Sequence, residues 1–305
     1  MASGLAQRII SGGSLFRQLA AVTGLWLAFT AGTAGAQETE RSGKLLLTGG
    51  VSSIEGAGGG GLAPWALITG YGAAGQVGAN LHATVAELPD YQFRSGGIAL
   101  GLQDRLELSY ARQSFDTGAT GARLGLGQGF TFRQDVVGAK LRVLGDAVYD
   151  QDRWTPQVAI GAQWKSNDQP GVIAAIGGRD HEGVDYYVAA TKILLDHSLL
   201  LNGTVRATRA NQGGLLGFGG DRNDDYSLQF EGSAGVLLNK RLLVGAEYRT
   251  KPDNLGFAQE DDWFDLFAAY AVNKNLSITA AYADLDDIAT FEDQRGLYLS
   301  IQAGF

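Results

Sequence analysis

The chain of 305 residues contains no cysteine, which excludes disulfides, thiolate metal sites and a cysteine nucleophile. Its histidines number three, His82, His181 and His197. A Ser-His-acid hydrolase would have to take its base from these, and no Gly-x-Ser-x-Gly elbow occurs anywhere in the chain. The expectation is a protein that is not an enzyme. Long apolar runs are missing too: beyond residue 36 no stretch approaches the ~18 consecutive apolar residues of a membrane-crossing helix. If this chain sits in a membrane, it must do so as a closed barrel.

Charge is scarce at the start. Arg8 and Arg17 are the only charges before Glu38, Leu19 to Ala31 is mostly apolar and too short to span a bilayer, and Ala34-Gly35-Ala36 forms a small-x-small site. This pattern predicts a signal peptide over residues 1–36, cleaved before Gln37, then a short polar segment over 37–43. Its removal would take the net charge from -8 to -10. An acidic, exported chain is poorly suited to nucleic acid.

Glycine is abundant at 45 residues and proline scarce at 5, so helix formation over much of the chain would be costly. Period-two alternation is what the sequence offers instead. The last stretch, RGLYLSIQAGF, places Leu297, Leu299, Ile301 and Ala303 on one face and Gly296, Tyr298, Ser300, Gln302 and Gly304 on the other. It ends on Phe305. A greasy-and-wet strand closing on phenylalanine resembles the C-terminal assembly signal of bacterial outer-membrane barrels, with Phe305, Ile301, Leu299 and Leu297 as its residues and the barrel-assembly machinery as its partner.

The same design recurs upstream. Leu276 to Ala283, Phe264 to Val272, Leu242 to Arg249, Tyr226 to Val236, Leu199 to Thr208, Gln157 to Lys165, Val137 to Val143, Arg105 to Tyr110 and Val77 to Val85 all alternate. Tyr91 to Gly101, Val184 to Leu194, Trp65 to Ala73 and Lys44 to Gly50 are weaker. Long and short connections also alternate, as in a barrel with short periplasmic turns and long outer loops. Parity then asks for a strand at Lys44 to Gly50, giving about 14 strands over a barrel domain of 44–305. KLLLTGG does not alternate, however. If it threads the lumen or covers the rim, about 12 remain once another weak strand is dropped.

Several runs carry a resemblance: KLLLTGGVSSIEGAGGGGLAPWALITGYG (Lys44 to Gly72), LGLGQGFTFRQDVVGAKLRV (Leu124 to Val143), GFGGDRND (Gly217 to Asp224), EYRTKPDNLGFAQEDDWFD (Glu247 to Asp265) and the closing RGLYLSIQAGF. Together they resemble the bacterial domain-of-unknown-function family 3034. The resemblance implies an exported outer-membrane β-barrel of unassigned activity and supplies no functional residues.

The polar faces carry Arg105, Glu107, Lys140, Arg142, Lys165, Arg206, Glu231, Glu247, Arg249 and Asp265. These are the candidate pore-lining charges, and mixed signs facing inward fit either a hydrated channel or a salt-bridge network filling a closed lumen. Glu247 and Arg249 are close enough along one strand to pair with each other. GAGGGG (Gly56 to Gly61) is followed by no helix pattern and no Walker-type Lys-Ser/Thr, so it reads as a loop that lies across the pore mouth rather than a phosphate cradle. Acidic clusters in the outer loops lack calcium-loop spacing and read as solvated charge, so neither a metal nor a cofactor is expected.

The functional expectation is a porin-like channel or transporter in the bacterial outer membrane for a small hydrophilic solute or an envelope polymer. The alternative is a closed structural or adhesive barrel whose outer loops bind a partner. Its other contacts would be membrane lipid and lipopolysaccharide.

Overall fold

The computed structural model describes residues 44–258 and 260–305; the expected signal peptide and the segment 37–43 lie outside them. Twelve antiparallel strands close into one barrel. In chain order they are β1 (Val77–Glu87), β2 (Gln92–Leu102), β3 (Leu106–Asp116), β4 (Thr131–Leu144), β5 (Gln157–Asn167) and β6 (Glu182–Leu194). The second half comprises β7 (Leu199–Thr208), β8 (Ser227–Asn239), β9 (Leu242–Arg249), β10 (Trp263–Ala271), β11 (Leu276–Asp284) and β12 (Arg295–Gly304). Every strand pairs with its chain neighbours, and β1 and β12 form the seam, with Asn80 opposite Gly304 and Glu87 opposite Leu297. Closure leaves no unpaired edge.

Alternation in the sequence becomes alternation in burial. Along β10 every second residue is exposed without a break: Phe264, Leu266, Ala268 and Tyr270 face out, Trp263, Asp265, Phe267 and Ala269 face in. Around the barrel the outward set includes Leu108, Val188, Leu228, Leu266 and Leu297, all exposed. Such a belt is at home in hydrocarbon, so this is a transmembrane barrel. No helix among the described residues is long and apolar enough to cross a membrane. Pro64, Pro89, Pro156, Pro170 and Pro252 all fall outside the strands, as expected of a residue that cannot donate to a ladder.

The strand count is the lower of the two that the sequence allowed. β2 and β6, weak in sequence, are full strands of 11 and 13 residues. Lys44 to Gly50 and Trp65 to Ala73 are not strands, so the wall of the 44–305 domain begins at Val77. The reason is enclosure. Leu47, Trp65, Ala66 and Ile68 are each at most 1% exposed, being surrounded by the barrel on all sides rather than on one face. A residue buried in every direction has no use for alternation.

Connections at one end are mostly short, such as Lys240-Arg241 between β8 and β9 and Val272 to Asn275 between β10 and β11. At the other end they run through residues 117–130, 168–181, 209–226, 250–262 and 285–294, with 88–91 the short exception. Two of these carry one-turn helices, α1 (Thr120–Arg123) and α2 (Pro170–Ala175).

Candidate functional site

A buried segment with no regular structure must find partners for each amide and carbonyl outside itself. Residues 44–73 run inside the barrel, and the inward side chains of the wall supply those partners. Glu107 on β3 accepts the Gly58 amide at 2.9 Å and the Thr69 amide at 2.8 Å. Lys140 on β4 donates to the carbonyls of Gly58 at 2.9 Å and Trp65 at 3.0 Å, and lies 3.0 Å from Glu107. Glu247 on β9 accepts the Leu62 amide at 2.9 Å and the Ser233 hydroxyl at 2.6 Å. Thr191 accepts the Ala66 amide at 2.7 Å, while Gln157 donates to the Ala66 carbonyl at 2.7 Å. The Trp65 indole N–H reaches Ser233 at 3.0 Å.

One acid of the enclosed segment completes an ionic cluster. Glu55 lies 2.7 Å from Lys165, 2.9 Å from Arg249 and 3.2 Å from Arg206. Asp185 lies 2.8 Å from Lys165 and 3.3 Å from Arg206. Glu231 meets Arg206 at 2.5 Å and Arg249 at 3.3 Å. Three cations thus face three anions, and none of the six is more than 4% exposed. Mutual neutralisation is what makes burial of so many charges tolerable.

Of the ten candidate lumen charges, Glu107, Lys140, Lys165, Arg206, Glu231, Glu247, Arg249 and Asp265 are buried inside the barrel. Arg105 is not brought there: it is an exposed turn residue between β2 and β3. Arg142 sits half-buried at the same end, paired with Asp104 and, at 3.0 Å, with Asp146. Glu247 and Arg249 do not pair with each other, because Arg249 is drawn to Glu55 and Glu231 while Glu247 is taken by Leu62 and Ser233. Gly56 to Gly61 does not lie across the mouth; it is threaded through the lumen. Space is tight at Gly60, where a Cβ would stand 1.8 Å from Glu247 Oε1, so a side chain there must displace that carboxylate or the segment.

Sequence reasoning missed Glu55 and Asp185. Asp185 alternates with Tyr187 and Ala189 on the inward face of β6, and that spacing was a usable signal. Glu55 had none, because nothing local shows that its loop is enclosed.

The short-turn end is tied by the chain's last residue. The Phe305 carbonyl accepts the amides of Tyr71 at 2.8 Å and Ala79 at 3.1 Å. The long-loop end is covered by residues 209–226. The Gly213 carbonyl accepts from Lys165 at 3.1 Å and Gln134 at 3.2 Å, and Asn167 donates to the Leu215 carbonyl at 2.9 Å. The Gln212 amide donates to Glu260 at 3.1 Å. Burial of the Glu260 carboxyl pushes it up to about 7 despite Lys251 at 3.3 Å, and burial pulls the Lys251 ammonium down. Asp261, Asp286 and Asp287 bring carboxylate oxygens within 4.8 Å of one another in these loops.

A transmembrane β-barrel whose lumen is occupied by its own preceding segment is the class that this geometry defines. The chain belongs to the family described as protein of unknown function (DUF3034), which matches residues 48–302. Among solved structures it is similar to the KdgM porin in complex with disordered oligogalacturonate, at 11% identity over 74% of this chain and 99% of that one, with a TM-score of 0.48. It is similar to the NanC porin at 10% identity over 74% and 98%, TM-score 0.47. The outer membrane phospholipase A from Escherichia coli is similar at 11% identity over 77% and 94%, TM-score 0.41. No curated protein matches the chain.

Proposed function

We propose that the protein is a porin-like barrel of the bacterial outer membrane, not an enzyme, that rests closed and passes a small hydrophilic solute when residues 44–73 shift. The observation that carries this reading is the chemistry of the contact between segment and wall. The segment's backbone amides and carbonyls are held by charged and polar wall side chains, while Leu47, Ile54, Leu62, Trp65 and Leu67 pack in one apolar cluster with wall residues such as Leu200, Leu243 and Phe267. The charged and polar wall groups are those that water and a hydrophilic solute could take up once the segment moves, and the apolar packing is the part of the closure that such a shift must overcome. Withdrawal of the segment would leave Glu107, Lys140, Asp185, Arg206 and Glu247 lining a hydrated bore. Phe305 and the outward Leu297, Leu299 and Ile301 serve as the signal read by the assembly machinery.

A second reading, a closed structural or adhesive barrel, is favoured by the outer loops. Arg209 bridges Asp180 at 2.6 Å and Asp224 at 2.7 Å, and Arg222 meets Asp253 at 2.7 Å, so the cover is cross-tied.

Because the chain has no native cysteine, a single engineered pair separates the two. Ala66 of the segment packs in one buried cluster with Ala159 on β5, so Ala66→Cys with Ala159→Cys is a suitable lock. Planar-bilayer recordings of the full-length protein should show conductance steps with reductant present and none after oxidation. Silence in both states, with wild type also silent, would favour the closed barrel.

A further inference from the structure

The inward face changes character near the long-loop end. Phe93 on β2 stands opposite Phe115 on β3, and Phe115 opposite Phe132 on β4. All three point inward and are no more than 7% exposed. They form an aromatic row across adjacent strands at one level. Tyr91 stacks on this row, its ring centroid 4.8 Å from that of Phe115.

The row walls a cavity of about 130 Å³. Ile54 and Leu62 of the enclosed segment form its floor, and Leu126 and Leu216 of the outer loops contribute to its roof. Glu55 is the one charged residue of its lining among the described residues, and that carboxylate is already committed to Lys165, Arg206 and Arg249. The Trp263 indole N–H, also of the lining, has no hydrogen-bond partner in the protein.

We propose that this cavity is a binding site for a small neutral apolar molecule of single-ring size, entered from the outer-loop side. Size follows from volume, since an apolar cavity of ~150 Å³ accommodates benzene. Neutrality follows from the absence of any uncommitted cation on the lining to balance an acid. Amines are disfavoured likewise, because Glu55 is spent on three cations. The unpartnered indole donor allows one carbonyl or ether oxygen on the ligand. The site needs only the cavity, so it stands whether or not solute passes through the lumen.

The test uses full-length refolded protein in phosphatidylcholine nanodiscs, with 4-fluoroacetophenone followed by fluorine NMR against empty nanodiscs. Saturable broadening beyond that of empty discs is expected. Ala283→Phe, which fills the cavity from β11, and Ala289→Trp, which fills it from an outer loop, should each weaken binding by at least about tenfold. Ala289→Trp keeps the test decisive if the strand variant does not fold, folding being checked by heat-modifiable gel migration. The anion 4-fluorobenzoate should bind at least about tenfold more weakly than the ketone. Broadening equal to that of empty discs, binding unchanged in the folded filled variants, or benzoate binding as tightly as the ketone would each overturn the proposal.

Discussion

Glu55 and Lys165 lie 110 residues apart in the chain, yet their side chains meet at 2.7 Å inside the barrel toward its long-loop end, neither more than 2% exposed. The contact joins the enclosed segment to the wall, and it closes a cluster in which Arg206 and Arg249 also lean on the same carboxylate.

Removing that carboxylate therefore leaves three buried cations facing two anions. Glu55→Gln should cost about 3–5 kcal/mol, the penalty for stranding a buried charge. Denaturant unfolding of the refolded barrel measures it. A cost below about 1 kcal/mol would mean that water already reaches the cluster. The same variant should conduct more often than wild type in a planar bilayer.

A side chain at Gly60 has no room, because its Cβ would strike Glu247. Gly60→Val should push the segment away from Glu247 while leaving the backbone pairing of the wall strands in place. Limited proteolysis should then cut within residues 44–73 while strands β1 to β12 stay protected. A variant as resistant as wild type would show that the segment can shift to accommodate it.

Lipid-face costs should follow depth. Val188 is at the middle of β6 and exposed, whereas Leu228, also exposed, is the second residue of β8, next to the outer loop. Val188→Arg should cost about 2–4 kcal/mol and Leu228→Arg about 0–1 kcal/mol. Equal costs in folding titrations would contradict the placement of the membrane.

Much of this wall was legible beforehand. Alternation at Phe264 to Val272 or Leu242 to Arg249 needs only local spacing, and the spacing survives in the structure as a face in lipid and a face inside. The occupied bore was not legible. WALI at Trp65 reads as part of a weak strand because it is apolar, but it is apolar because the barrel surrounds it. The row of Phe93, Phe115 and Phe132 was hidden for another reason: its three members come from separate strands, and only their register brings them level.

Acidity should act on the outer cover. Glu260 holds the Gln212 amide from a buried position facing Lys251, and its carboxyl is raised from 4.5 to about 7. The folded state thus keeps a proton that the unfolded state loses, so this group favours folding most below its unfolded value. That contribution declines as pH rises from about 4.5 to about 7, by at most about 3 kcal/mol. Glu260→Gln removes the titration. Its thermal midpoint should gain on wild type between pH of about 5 and about 7.5. A constant difference across that range would show that Glu260 is ionised throughout.

The seam between β1 and β12 carries a consequence for how the molecule forms. A finished wall, covered at one end by loops and tied at the other by the Phe305 carbonyl on the Tyr71 amide, must loosen at one end before a thirty-residue segment can enter or leave. Entry costs least before the first and last strands join, so the expected order is a barrel wrapped around its contents rather than filled afterwards. The segment that closes the bore is then also the former on which the wall takes its circumference. Its contacts, from Gly58 to Glu107 and from Leu62 to Glu247, span 49 and 185 residues, which makes folding of this chain a slow event governed by distant partners.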